Sequence, residues 1–270
     1  MTDVFLIKET ADISNVVKYF PNVTSVTINA GSNKAVTINN SKITNVSVYG
    51  QNPVALKGVS PKVVYATVLS KQNSIDYTKL EGYSKVTKFY LDCDSNATKV
   101  KIPNASKLTD LKVSNAKLTS FDTSKLKSVQ KLTLDGNNLK SLNIKKNKKL
   151  TSLACYNNKL TSLSLGKTPL KTLTLPGTKF DYVSFGEHYN FLKKVKGFNP
   201  NAYIVLQAKK KKTTYDFAKL APALKGYTFS TYDTAAKVTA KGKATLAAPK
   251  KHSFITIIAK KGSSTVTINF

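Results

Sequence analysis

An apolar pattern that recurs every 20 to 23 residues between Val23 and Leu175 constrains the fold of this 270-residue chain more than any other feature. Each of the eight copies contains two apolar residues separated by one other residue. This is the spacing of a strand whose alternate side chains face inward. The pairs are Val26/Ile28, Val46/Val48, Ala66/Val68, Phe89/Leu91, Leu111/Val113, Leu132/Leu134, Leu153/Cys155 and Leu173/Leu175. Because one such unit cannot bury its apolar side alone, successive units must stack. The repeat therefore predicts a solenoid.

A second apolar pair follows the first within each copy. These pairs are Val36/Ile38, Val54/Leu56, Ile75/Tyr77, Val100/Ile102, Phe121/Thr123, Leu142/Ile144, Leu163/Leu165 and Val183/Phe185. Each coil is thus expected to contain two short strands, and the roughly four or five residues left for each corner are too few for a helix of normal length. We predict a mainly β protein of about eight flattened coils with two short parallel sheets.

Asparagines mark the turn after the first strand in two of the coils, at Gly136-Asn137-Asn138 and Tyr156-Asn157-Asn158. The segment from Leu150 to Leu165 reads LTSLACYNNKLTSLSL and resembles the repeats of bacterial cell-surface leucine-rich-repeat proteins, LTSLxCxxNxLTSLxL. In that resemblance Asn137 and Asn158 match the repeat asparagine, so an internal asparagine ladder is expected only in the middle of the array. The resemblance implies a non-enzymatic role in adhesion or recognition.

The repeat ends near residue 200, which divides the chain into a predicted N-terminal cap (1–22), a leucine-rich-repeat solenoid (23–200) and a basic C-terminal module (201–270). The last region contains six short blocks that alternate apolar and polar residues, which predicts a small β-sandwich. One stretch, Ala235 to Leu246, resembles bacterial immunoglobulin-like modules. Both end regions are expected to cover the open ends of the solenoid core.

All 43 basic residues are lysines, and with 14 acidic residues the formal net charge is +29. Such a charge favours an anionic partner, for example a capsid lattice, a cell wall, a membrane surface or nucleic acid. The absence of arginine argues against sequence-specific nucleic-acid recognition. The codon bias of an AT-rich genome is an equally good explanation of the lysine excess. The candidate contacts to an anionic partner are Lys209, Lys210, Lys211, Lys212, Lys250 and Lys251.

Several kinds of site are not expected. The two histidines, His188 and His252, lie in different modules, and no catalytic, phosphate-binding or metal motif occurs, so we predict no enzyme, no cofactor and no metal. Cys93 and Cys155 lie three coils apart, about 14 Å, and are expected to be free thiols. The chain as given has no signal-peptide pattern and no apolar run that could span a membrane.

Stacked coils place equivalent outward residues in columns along the first sheet. The column between the paired apolar residues starts with Thr27, Ser47, Thr67, Tyr90 and Lys112, and the next column includes Tyr49, Leu69, Asp135 and Tyr156. The candidate recognition face consists of Tyr49, Tyr90, Lys112, Asp135 and Tyr156. Tyrosine provides contact area at low entropic cost. The alternative interpretation, which the threonines favour, is that these columns only reflect β-propensity on a solvated sheet.

These patterns support one leading hypothesis and one alternative. The first is a non-catalytic structural or binding protein on an assembled surface, in either phage virion decoration or bacterial surface adhesion. It would bind protein or glycan through the repeat face and attach to an anionic scaffold through the C-terminal module. The alternative is a nonspecific polyanion or nucleic-acid binder, whose affinity must fall steeply as salt is added.

Overall fold

The computed structural model describes residues 3–6, 9–69, 72–94, 96–186, 188–206, 214–234, 236–246 and 255–269, without the side chains of residues 5, 6 and 189. The strands are β1 (Asp3–Leu6), β2 (Ser25–Gly31), β3 (Ala35–Thr37), β4 (Asn45–Gly50), β5 (Ala55–Lys57), β6 (Val63–Val68), β7 (Ser74–Asp76), β8 (Lys88–Cys93), β9 (Lys99–Lys101), β10 (Asp110–Ser114), β11 (Lys131–Thr133), β12 (Ser141–Asn143), β13 (Ser152–Ala154), β14 (Ser162–Ser164), β15 (Thr172–Thr174), β16 (Phe180–Gly186), β17 (Phe198–Leu206), β18 (Thr214–Asp216), β19 (Thr228–Ser230), β20 (Ala236–Val238), β21 (Lys243–Leu246), β22 (Thr256–Lys261) and β23 (Ser264–Asn269). The helices are α1 (Ser14–Val17), α2 (Phe217–Leu220) and two 3-10 helices, Tyr189–Lys194 and Pro222–Leu224.

The first strands of the coils form one parallel sheet, in the order β1-β2-β4-β6-β8-β10-β11-β13-β15. Their alternate residues point into a continuous core, in which Val26, Val46 and Phe89 have no exposed surface. The predicted mainly β solenoid is therefore confirmed. It has about nine turns, because β1 adds a strand beside β2 within the segment expected to be only a cap.

The second strands are parallel as predicted, but they lie in three separate sheets: β3-β5, β7-β9, and a longer sheet that contains β12, β14 and β16. Between β5 and β7 the ladder is interrupted because the carbonyl of Glu81 accepts the N–H of Leu56 at 3.0 Å. Residues 121–123, predicted to form a strand, do not form one. The carbonyl of Thr123 instead closes a turn with the N–H of Leu126 at 3.0 Å.

The third coil has a different register from the predicted one. Val46 is aligned with Val64 rather than with Ala66, and Val64 is aligned with Phe89. A ladder of corner hydrogen bonds fixes this register. The carbonyl of Thr44 accepts the N–H groups of residues 62 and 63 at 2.8 and 3.0 Å, and the equivalent pattern recurs at the following coils. The two registers differ by two residues, so each places apolar side chains inward.

The asparagine ladder is confined to the middle of the array, as predicted. Asn137 and Asn158 are buried at 4% and 6% exposure. The amide of Asn158 donates to the carbonyl of Leu134 on the preceding coil at 2.8 Å and to that of Cys155 at 3.1 Å, while its oxygen accepts the N–H of Leu139 at 3.0 Å. One side chain thus satisfies backbone groups on two coils that water cannot reach.

Short helices contribute buried side chains near both ends of the solenoid. At the N-terminal end, Ile13, which precedes α1, and Val17, its last residue, are each 1% exposed. At the other end, the 3-10 helix Tyr189–Lys194 follows β16 and buries Phe191 and Leu192, and the first sheet ends at β15.

The C-terminal region extends the second side of the solenoid. Strands β17, β23, β22 and β19 continue the sheet of β12, β14 and β16, while β18, β21 and β20 form a separate three-stranded sheet. An immunoglobulin-like sandwich is not confirmed, because the larger sheet is shared with the solenoid. The domain boundary expected between residues 200 and 201 falls inside β17, which pairs in parallel with β16, and it remains a proposal.

Cys93 and Cys155 form no disulfide with each other, as predicted, and both are buried. Within the described ranges, no helix combines the length and apolar character needed to cross a membrane.

Candidate recognition surface

Four large apolar side chains lie together on the outer face of the first sheet. Tyr49 on β4, Tyr65 on β6 and Leu69 just after β6 are 46%, 50% and 52% exposed, and Tyr90 on β8 is half-buried. Thr67 lies among them, since it is aligned with Tyr49 and lies two residues from both Tyr65 and Leu69. We call Tyr49, Tyr65, Leu69 and Tyr90 the tyrosine patch.

Register and stacking hold the patch in place. Tyr65 and Tyr90 are directly aligned on neighbouring strands, and their rings stack with centroids 4.8 Å apart and planes 21° from parallel. Tyr49 is a diagonal neighbour of Tyr65, within reach of an aromatic side chain. Burial, and then the nearby carboxylate of Asp110, raises the pKa of Tyr90 to about 12. This hydroxyl therefore stays protonated and can donate a hydrogen bond throughout the neutral range.

Polar groups border the patch on its C-terminal side. Lys112 is aligned with Tyr90, and its Nζ lies 3.4 Å from Oδ2 of Asp92. The other oxygen of Asp92 accepts a hydrogen bond from the amide of Asn115 at 2.8 Å. An apolar centre with a polar border is the usual anatomy of a protein-binding surface.

The structure brings together three of the five residues predicted for the recognition face, namely Tyr49, Tyr90 and Lys112. Asp135 and Tyr156 lie apart from them, on later coils. Oδ1 of Asp135 accepts the backbone N–H of Tyr156 at 2.6 Å, so this carboxylate fixes the turn after β13. Tyr156 is 54% exposed but has no aromatic partner among the described residues.

Sequence reasoning missed Tyr65, the patch residue whose ring stacks on Tyr90. The predicted register placed Thr67 in its column, two residues away. The corner position gave no signal for the shift, because Lys62 stands where the neighbouring coils have Thr44 and Thr87, whose carbonyls form the corner ladder.

The lysines predicted to contact an anionic partner, Lys209 to Lys212 with Lys250 and Lys251, lie outside the described residues. In the described part of the C-terminal region, Asp216 lies 3.7 Å from Lys219, an exposed pair of little energetic value.

In the described ranges, no group of three or more His, Cys, Asp or Glu residues could hold a metal ion. Nε2 of His188 lies 2.7 Å from the carbonyl of Thr168, and the ring stacks on Phe191. This histidine therefore joins the coil that contains Thr168 to the 3-10 helix Tyr189–Lys194.

No family model and no curated protein matches the chain. Among solved structures, the chain is similar to the functional domain of InlJ from Listeria monocytogenes, which includes a cysteine ladder. That alignment covers 92% of this chain and 71% of the other, with 13% sequence identity and a TM-score of 0.34.

Proposed function

We propose that this chain is a non-catalytic binding protein that recognises a protein or glycan surface through the tyrosine patch. One observation carries the proposal: three tyrosines and a leucine are grouped on the outer face of a parallel sheet, where neighbouring coils fix their spacing. Exposed apolar groups on soluble proteins are normally scattered, so a contiguous group indicates an interaction site. A rigid sheet also lowers the entropic cost of association.

The partner is proposed to lie on an assembled surface, either a phage virion or a bacterial envelope. The C-terminal region would attach the solenoid to an anionic scaffold such as a capsid lattice or a cell wall. Its last 70 residues contain 13 lysines and two aspartates, a net charge of 13 − 2 = +11. In this arrangement the tyrosine patch would remain free to contact a second surface.

A matched pair of triple variants tests the patch. Replacing Tyr49, Tyr65 and Tyr90 by serine is expected to weaken binding to the native surface at least about tenfold, because aromatic anchors carry most of the energy of an interface. The measurement is the binding of fluorescently labelled protein to purified virions and to purified cell envelopes from the native source. The surface that binds also distinguishes virion decoration from adhesion.

The control replaces three tyrosines outside both the patch and the C-terminal region, namely Tyr19, Tyr156 and Tyr182. The first two are 74% and 54% exposed, and the third is half-buried. This variant has the same change in composition and is expected to bind like the unmodified protein. Equal losses in both triple variants would refute the patch as the binding site. Thermal unfolding of each variant checks that it is folded, so that the binding of folded proteins is compared.

The net charge of +29 favours a second candidate, nonspecific polyanion binding. In the described ranges only three ion pairs occur, Lys101–Asp76, Lys112–Asp92 and Lys219–Asp216. Repeating the binding measurement at several salt concentrations separates the two candidates. If the protein contacts many anionic groups, its affinity declines steeply as salt is added. Affinity that comes from the tyrosine patch depends only weakly on salt.

A further inference from the structure

The second side of the solenoid is open at the fourth and fifth coils. A groove of about 360 Å³ lies there between β9 and residues 118–126. Its apolar lining includes Val100, Ile102 and Phe121, all half-buried. The equivalent central residues of other second strands, such as Leu56, Ile75 and Leu163, have no exposed surface. The groove is thus a local gap in an otherwise closed core.

Within the part of the chain that the structure describes, the edge of β9 that faces this groove has no strand beside it. The N–H of Lys99 and the carbonyl of Lys101 bond toward the β7 side, with Asn73 and Tyr77 at 3.2 and 2.9 Å. Because successive residues of a strand direct their backbone groups to opposite sides, the N–H and carbonyl of Val100 face the groove. Among the described residues, no backbone hydrogen bond joins β9 to residues 119–123.

In the second coil, the central N–H of the second strand has a hydrogen-bond partner. There the equivalent N–H, that of Leu56, is satisfied by the carbonyl of Glu81 at 3.0 Å, supplied by an extra segment of the chain. At the fourth coil no described segment supplies such a carbonyl to Val100. An unpaired strand edge next to an apolar groove is the arrangement that binds an extended peptide by strand addition.

The charges around the groove select the sequence of such a peptide. Lys99, Lys101 and Lys125 line it together with the carboxylate of Asp122. Lys101 is also paired with Asp76 on β7 at 3.0 Å, which leaves Lys99 and Lys125 as the lining lysines that form no ion pair among the described residues. In a strand added beside β9, one side chain would point inward beside Val100, while its two neighbours would point outward beside Lys99 and Lys101. Opposite charges on aligned outward residues stabilise a strand pair.

We propose that this groove binds an extended segment of a partner protein with an acidic–apolar–acidic core, added as a strand to β9. The apolar residue packs against Val100 and Phe121, and the acidic residues face Lys99 and Lys101. This site lies on the opposite side of the coils from the tyrosine patch, so the two surfaces can act independently.

The test uses the full chain and a synthetic nine-residue peptide with Glu-Ile-Glu at its centre and glycine and serine at its ends. Binding is measured by fluorescence anisotropy. Peptides carrying one N-methyl group at each backbone nitrogen in turn are expected to lose about tenfold in affinity at alternate positions, because alternate N–H groups of a strand bond to one side. A Lys-Ile-Lys peptide is expected to bind at least about tenfold more weakly than the Glu-Ile-Glu peptide.

The variant Val100→Pro removes the N–H that faces the groove without removing a described hydrogen bond, so it is expected to fold and to lose peptide binding. If this variant does not fold, the N-methyl series on the unmodified protein still decides the question. Absence of binding by the Glu-Ile-Glu peptide, N-methyl effects that do not alternate, or equal binding of the two charge types would overturn the proposal. Dimerisation of the free protein through the groove would also overturn it, since a second copy would then be the occupant.

Discussion

Replacing Asn158 by alanine is expected to lower the free energy of unfolding by about 3 kcal/mol, since each buried backbone group left without a partner costs about 1–3 kcal/mol. The groups concerned are the N–H of Leu139 and the carbonyl of Cys155, both bonded to this one side chain. Neither can turn to water, because the site is buried. The carbonyl of Leu134 keeps a second donor, the amide of Asn137 at 2.9 Å. In a solenoid the loss affects two adjacent coils, so stacking weakens in the middle of the array.

The measurement is equilibrium unfolding in urea, with Lys159→Ala as the control. Lys159 is the next residue and is exposed, so this control is expected to remain within about 0.5 kcal/mol of the unmodified protein. A loss below about 1 kcal/mol for Asn158→Ala would mean that the asparagine ladder does not join the coils as described.

Stability is expected to fall steeply above pH 9. Burial, and then the carboxylate of Asp135, raises the pKa of the Cys155 thiol from 9.0 to about 12. Burial also raises the pKa values of Tyr77 and Tyr83. The folded state holds these protons more tightly than the unfolded state. The contribution of these three groups to the free energy of unfolding is therefore complete below the pKa of the unfolded state. It is lost as the pH rises toward the pKa of the folded state.

For Cys155 alone the loss reaches about 4 kcal/mol by pH 12, at about 1.4 kcal/mol for each pKa unit. Urea unfolding between pH 7 and 11 is the measurement, and Cys155→Ala is the matched variant. All other ionisable groups are common to both proteins, so the difference between them isolates the thiol. The variant is expected to lose stability less steeply with pH. Identical slopes would show that the thiol is not buried in the folded state.

The sequence was sufficient to predict the solenoid, because a repeat of about 21 residues with paired apolar positions has few other ways to bury them. It was not sufficient to predict the register of the third coil. Val64, Ala66 and Val68 all point inward, so two registers satisfy the same pattern. Longer-range contacts decide between them, since the segment after β7 must be long enough for Glu81 to reach Leu56 and for Tyr83 to bond the carbonyl of Val54 at 2.8 Å.

The candidate site was predicted only in part, because its residues depend on the same coil register. Tyr49, Tyr90 and Lys112 lie in coils whose predicted register was correct, and they are brought together. Tyr65 was missed because a shift of two residues leaves the inward pattern unchanged but replaces the outward side chain. The open groove beside β9 could not be predicted, because Phe121 and Thr123 satisfy the apolar pattern although no strand forms there.

Photo-cross-linking from the outer face of the first sheet tests most directly whether the tyrosine patch is the recognition surface. A photoreactive residue replaces Thr67, at the centre of the patch, or Thr174, an exposed threonine on β15 of the same sheet. Each protein is bound to the native surface and irradiated, and the cross-linked product is identified by mass spectrometry. Cross-links to one specific partner from position 67, with none from position 174, are the expected result. Equal cross-linking from both positions, or cross-linking only from position 174, would contradict the assignment of the patch.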